Sequence, residues 1–164
     1  MKKVIVSFAV AATLYACGGS SNSTEQSNAA STEPAATTTE TPTGNPSYDP
    51  NRGEGKFTAE NVTVGASLDA AMATEGEKIQ GVKCSSCHKT TDEKLVGPGW
   101  KGVTERRKPE WIMNFITNPD PMIDKDPEVQ AQLEICLVRM PNQGLTDDDA
   151  RHVLEFMRKN DGVK

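Results

Sequence analysis

Cys84-Ser85-Ser86-Cys87-His88 decides how this chain is read. Two thiols three residues apart, followed at once by an imidazole, have the spacing that attaches a c-type haem. The thiols form thioethers with the two vinyl groups, and the next residue's imidazole is held beneath the iron. Two other readings of the same residues are weaker. A tetrahedral zinc site needs a second pair of ligands, yet only Cys136 and His152 remain, and adjacent Cys87 and His88 rarely serve one ion. A thioredoxin-like dithiol belongs to a βαβ context, and the chain shows almost no period-2 alternation. One covalent haem c is therefore the expected cofactor, with His88 as an iron ligand.

The rest of the composition fits an exported chain. The protein has 164 residues, with 18 Lys+Arg against 23 Asp+Glu and a net charge of −5. That balance argues against nucleic acid as a partner, since phosphate binding needs a basic face. Aromatics make up only 5% of the chain, which leaves room in the core for a non-protein group. The one long apolar run, residues 4–16, is too short to cross a bilayer. It follows Met1-Lys2-Lys3 and precedes Leu14-Tyr15-Ala16-Cys17-Gly18, so residues 1–16 read as a signal peptide. The stretch ending in Cys17 resembles a bacterial lipobox, in which that cysteine is acylated and becomes the first mature residue. The alternative is ordinary cleavage after Ala16, which leaves Cys17 an incidental thiol.

Residues 17–57 are expected to be a lipidated cysteine and a disordered linker. Of the 40 residues in 18–57, 26 are Ser, Thr, Pro, Gly or Asn, and only Tyr48 and Phe57 are large and apolar. Such a segment buries too little surface to offset its ordering entropy. As a flexible coil it spans about 35 Å, at ~5–6 Å times the square root of its length. A lipid anchor, a leash and a compact head form a consistent set.

The head, residues 58–164, is a single small domain with 14 basic and 18 acidic groups. Its patterning is helical. Residues 67–82 carry Leu68, Met72, Gly76, Ile79 and Val82 at near-helical spacing. Gly76 on that stripe weakens the helix, so a close helix crossing is its expected justification. Pro109 opens a second helix with Trp111, Ile112, Phe115 and Ile116 on one face, and Asn118-Pro119 stops it. Asp126-Pro127 opens a third, with Val129, Leu133, Cys136 and Leu137 as its stripe. Thr146 caps the last, which carries Ala150, Val153, Leu154 and Met157. Asp147-Asp148-Asp149 reads as a first turn complementing the helix dipole rather than as a metal site. The fold class is all-α, with long loops that need something to wrap around.

The sixth iron position separates an electron carrier from a ligand binder. His152 reads as a helical surface residue. Met72, Met113 and Met157 fall inside helices, where core packing is the default, while Met122 and Met140 are expected in loops. Met140, in the stiff Met140-Pro141-Asn142-Gln143-Gly144 segment before the last helix, is the first choice and Met122 the second. Cys136, on an apolar stripe, reads as a buried structural thiol. Arg106-Arg107-Lys108 with Lys101 is either a basic docking patch or a solvated loop.

The head resembles a monohaem class I cytochrome c. The resemblance rests on Gly76-Glu-Lys-Ile79 before the Cys-x-x-Cys-His motif, then Gly97-Pro98-Gly99-Trp100-Lys101-Gly102, then Phe115-Ile-Thr-Asn118-Pro119, then Met140-Pro141 before Leu145-Thr-Asp-Asp-Asp-Ala150. It implies a cytochrome c fold wrapped around one haem c, with Met140 as the distal ligand. It also implies that the Pro98 carbonyl accepts a hydrogen bond from His88 Nδ1–H, that Trp100 packs on the haem plane, and that Gly76 sits where the first and last helices cross. The 20 residues between Pro119 and Met140 exceed the short loop of mitochondrial-type members and rebuild the distal wall. Gln80 stands where those members carry an aromatic.

The implied function is that of a monomeric one-electron carrier rather than an enzyme. It serves a bacterial respiratory chain between a redox donor and a terminal reductase or oxidase, and some small lipid-anchored relatives feed nitrous-oxide reductase. The expected location is the cell envelope, membrane-anchored with the haem domain in the periplasm. The competing readings are a haem sensor or small-ligand binder with an open sixth site, and a peroxidase-like enzyme, for which no distal acid–base residue other than His152 is apparent.

Overall fold

The computed structural model describes residues 47–164. The signal peptide, the lipobox cysteine Cys17 and most of the expected linker lie outside the described residues. Six helices follow one another: α1 (Ala70–Lys83), α2 (Val103–Arg106), α3 (Pro109–Thr117), α4 (Pro119–Lys125), α5 (Pro127–Cys136) and α6 (Asp147–Asn160). Among the described residues there is no β-strand beyond one antiparallel bridge between His88 and Lys94.

The framework is the crossing of α1 and α6. The carboxylate of Asp69 accepts from the Met72 N–H and starts α1, whose buried residues are Ala73, Gly76 and Gln80. A Cβ on Gly76 would lie 2.0 Å from the His152 carbonyl oxygen and 2.9 Å from Phe156 Cβ, so only glycine lets the two backbones meet. The stripe expected on α1 is displaced. Leu68 precedes the helix, and Val82 is 86% exposed. The face that packs is small rather than greasy, because closeness to α6 decides it.

Thr146 and Asp149 form a reciprocal capping box at the start of α6. The helix buries Ala150, Val153, Leu154 and Met157 as expected, and also Glu155, which is 1% exposed. That carboxylate accepts from Arg158 Nη1 at 2.7 and 2.9 Å and from Arg151 Nη2 at 2.6 Å, while Arg158 Nη2 donates to the Gly65 carbonyl at 2.6 Å. A paired charge thus fastens the segment before α1 onto α6.

Two further expectations are revised. Asn118-Pro119 ends α3 but also begins α4, because proline suits a first helical position. Met122 is therefore helical and fully buried. The compact region also starts upstream of Thr58. Asn114 Nδ2 donates to the carbonyls of Arg52 and Phe57, and its Oδ1 accepts from the Phe57 N–H at 2.9 Å. Gly53, at φ +74°, lies so close to Met122 and Trp111 that a Cβ there would be 2.5 Å from Met122 Cε. The polar composition of 48–57 concealed this packing, since a few specific hydrogen bonds and glycines do what apolar area does elsewhere.

Candidate functional site

The end of α1 is built to present three side chains together. Cys84 N–H still bonds the Gln80 carbonyl at 2.9 Å. One more turn follows, with Cys87 N–H and His88 N–H both donating to the Cys84 carbonyl at 3.0 and 2.9 Å. Residues i, i+3 and i+4 of a helical turn share one side, so Cys84, Cys87 and His88 all line one cavity of about 620 Å³. That is within the range of a cofactor pocket, ~300–1,000 Å³. Cys84 and Cys87 are free thiols. Burial raises the Cys84 pKa, against the opposing pull of Lys83.

His88 is held on its far side. Its Nδ1–H donates to the Pro98 carbonyl at 2.8 Å. A carbonyl can only accept, so the proton sits on Nδ1 and Nε2 keeps its lone pair for a metal. Burial is the main influence on the ring and lowers its pKa, with the Pro98 bond acting the other way. The loop that supplies Pro98 is pinned by Gly97 N–H to the Cys87 carbonyl at 2.9 Å and by Trp100 N–H to the Lys89 carbonyl at 2.9 Å. A Cβ on Gly97 would stand 2.3 Å from His88 Cε1, so the glycine is a seat for the ring. Trp100 lies 5.7 Å from the His88 ring, centroid to centroid, and also lines the cavity.

Met140 reaches the same cavity from the loop before α6. Asn142 Nδ2 donates to the Thr117 carbonyl at 3.1 Å, and Lys83 Nζ donates to the Gln143 carbonyl at 2.9 Å. The loop is thereby tied to the ends of α3 and α1. The second choice, Met122, does not line the cavity but packs in the core, and His152 does not line it either. Met157 does, from within α6. Trp111, Ile112, Phe115 and Ile116 of α3 supply the apolar wall.

Other expectations need correction. Cys136 is half-buried and lines the cavity rather than the protein core, because α5 ends there. Leu137, in the left-handed region at φ 59°, turns outward and is 83% exposed. The basic run does not behave as one patch. Arg107 pairs with Glu128 and stacks 4.3 Å from the Trp111 ring centroid, so it belongs to the cavity rim. Asn142 and Lys83 tie down the Met140 loop by side-chain bonds to distant carbonyls, and no motif announces the part of Lys83; Gly97 seats the His88 ring from within the Gly97-Pro98-Gly99-Trp100 stretch. Proline and glycine in Met140-Pro141-Asn142-Gln143-Gly144 were the only local signal of such a loop.

The donor set fits one prosthetic group: two free thiols and an imidazole with a free Nε2 on one turn, a thioether on a second loop, and an apolar cavity between them. These features define a c-type haem protein. The comparisons agree: the family profile described as Cytochrome c matches residues 73–161, more than half of the chain. The chain belongs to the cytochrome c family, whose members carry one covalent haem c and transfer electrons through it. A cytochrome c from Rhodothermus marinus is 34% identical, with a TM-score of 0.60 over 63% of this chain and 89% of that one. An engineered form of that protein, Rma TDE, is 33% identical with a TM-score of 0.59, over 63% and 90% of the two chains. The same engineered protein bound to a carbene intermediate is also 33% identical, with a TM-score of 0.56 over 63% and 89%. No curated protein sequence matches the chain.

Proposed function

We propose that this chain is a lipid-anchored, monomeric one-electron carrier of a bacterial respiratory chain. It passes electrons from a redox donor to a terminal reductase or oxidase, with nitrous-oxide reductase among the acceptors the resemblance brings in. The observation that carries this reading is that His88 and Met140 line one cavity, each on a loop tied down by its own hydrogen bonds. Bound haem c supplies an iron that exchanges single electrons between its ferric and ferrous forms. The chain's part would be to keep the His88 imidazole and the Met140 thioether in place so that little else moves. Pro98 holds the imidazole by Nδ1, which raises its basicity toward the metal. Trp100, Phe115 and Ile112 line the cavity and would keep water out of it when haem is bound. The anchor proposal rests on Cys17 and its preceding apolar run, with acylation as the tethering chemistry.

The carbene held by the engineered R. marinus protein makes an open iron site the outcome to test against. Ferric holoprotein should show the weak far-red band of methionine-ligated haem, and Met140→Ala should abolish it, lower the potential and admit carbon monoxide. A wild-type protein that binds carbon monoxide readily and lacks the band has an open sixth site instead. Cys17→Ser should move the protein from the membrane to the soluble fraction; continued attachment would refute the lipobox assignment.

A further inference from the structure

Asp126 is 1% exposed, and three parts of the chain converge on it. The Tyr48 hydroxyl, from the segment that leads in from the linker, donates to Oδ2 at 2.5 Å. The Trp111 indole N–H, from α3, donates to the same oxygen at 2.9 Å. Oδ1 accepts from the N–H groups of Glu128 and Val129 at 2.9 and 3.1 Å and so caps α5. Trp111, Glu128 and Val129 all line the haem cavity.

We propose that Tyr48 is a positioning residue for the haem cavity, acting through Asp126: it holds the Trp111 indole in one wall and the first turn of α5 in another, and so sets the reduction potential and the tightness of the distal side. The far end of α5 is Cys136, itself on the cavity, and the chain reaches Met140 four residues later. A loosened start of α5 therefore propagates to the segment that carries the proposed sixth ligand. This last consequence rests on the Met140 reading; the effect on potential does not. Burial, then the Asp126 hydrogen bond, pushes the Tyr48 pKa upward, which keeps its O–H available as a donor. A carboxylate next to the cavity wall favours ferric over ferrous iron, and every donor it accepts from offsets part of that effect.

The test is Tyr48→Phe in the full-length holoprotein, read by redox titration and by the rate of carbon monoxide binding to the ferrous form. Removing the hydroxyl should raise the ferric-to-ferrous ratio at a fixed poise roughly threefold, a fall of about 28 mV at ~59 mV per tenfold for a one-electron couple. Carbon monoxide should bind several-fold faster. Asn114→Ala is the control, because Asn114 fastens the same segment through Arg52 and Phe57 but neither touches Asp126 nor lines the cavity. It should lower stability and leave the potential unchanged. If Tyr48→Phe does only what Asn114→Ala does, Tyr48 is a fastener and the proposal is overturned. Should Tyr48→Phe not fold, Asp126→Asn keeps a helix-capping side chain and should raise the potential; an unchanged potential there overturns the proposal as well. A wild-type protein without the far-red band refutes Met140 ligation while leaving the comparison of potentials intact.

Discussion

Gly97→Ala tests whether the His88 seat is as tight as the geometry requires. The added methyl would stand 2.3 Å from His88 Cε1, 2.8 Å from Nδ1 and 2.9 Å from Nε2. Carbon atoms in contact prefer ~3.5–4.0 Å, so the ring must retreat by more than ~1 Å. It has little freedom to do so: Cys87, one residue before it, lies on the same helical turn, and its Nδ1–H bonds Pro98 at 2.8 Å. Overpacking of this kind costs about 1–3 kcal/mol, and the lost hydrogen bond adds ~0.5–1.5 kcal/mol. A destabilisation of about 2–4 kcal/mol is expected, measured by denaturant titration of the holoprotein. Loss of the Pro98 bond also makes the imidazole a poorer donor to iron, so the potential should rise. A Gly97→Ala protein with wild-type stability and wild-type potential would show that the ring is not seated against this glycine.

Two other substitutions separate stability from redox behaviour. Gly81 lies in α1 with nothing within 4 Å of a Cβ placed on it, so Gly81→Ala should stabilise the protein by about 0.5–1 kcal/mol through helix propensity alone; a loss of stability there would contradict the open surface. Glu155→Gln keeps the shape but leaves the Arg158 and Arg151 guanidinium groups without their buried carboxylate. Breaking such a pair costs ~3–5 kcal/mol, and since Glu155 does not line the cavity, the midpoint of denaturation should fall while the potential stays put.

The haem site was legible because its chemistry is local. Cys84, Cys87 and His88 share a face through helical periodicity alone, so five consecutive residues specify the group and bring two thiols and an imidazole to one cavity. The helix starts at Pro109, Pro127 and Thr146 were equally plain, since caps and prolines act on their own neighbours. Leu137 and Cys136 were misread for the converse reason. An apolar residue at the end of a helix follows the stripe only if the helix continues, and α5 stops at Cys136.

What sequence determined by itself, then, was the set of groups whose spacing is shorter than a helical turn or two: the thiol pair, the imidazole, the caps and an all-helical pattern. The tertiary structure alone decided that Met157 lines the cavity beside Met140, that Met122 is core, and that the polar stretch from Tyr48 to Phe57 is part of the domain. Those outcomes depend on hydrogen bonds between residues far apart in the chain, such as Tyr48 with Asp126 and Asn114 with Phe57. Polarity along a segment reports what water would accept, whereas burial is settled by whether a distant partner replaces that water.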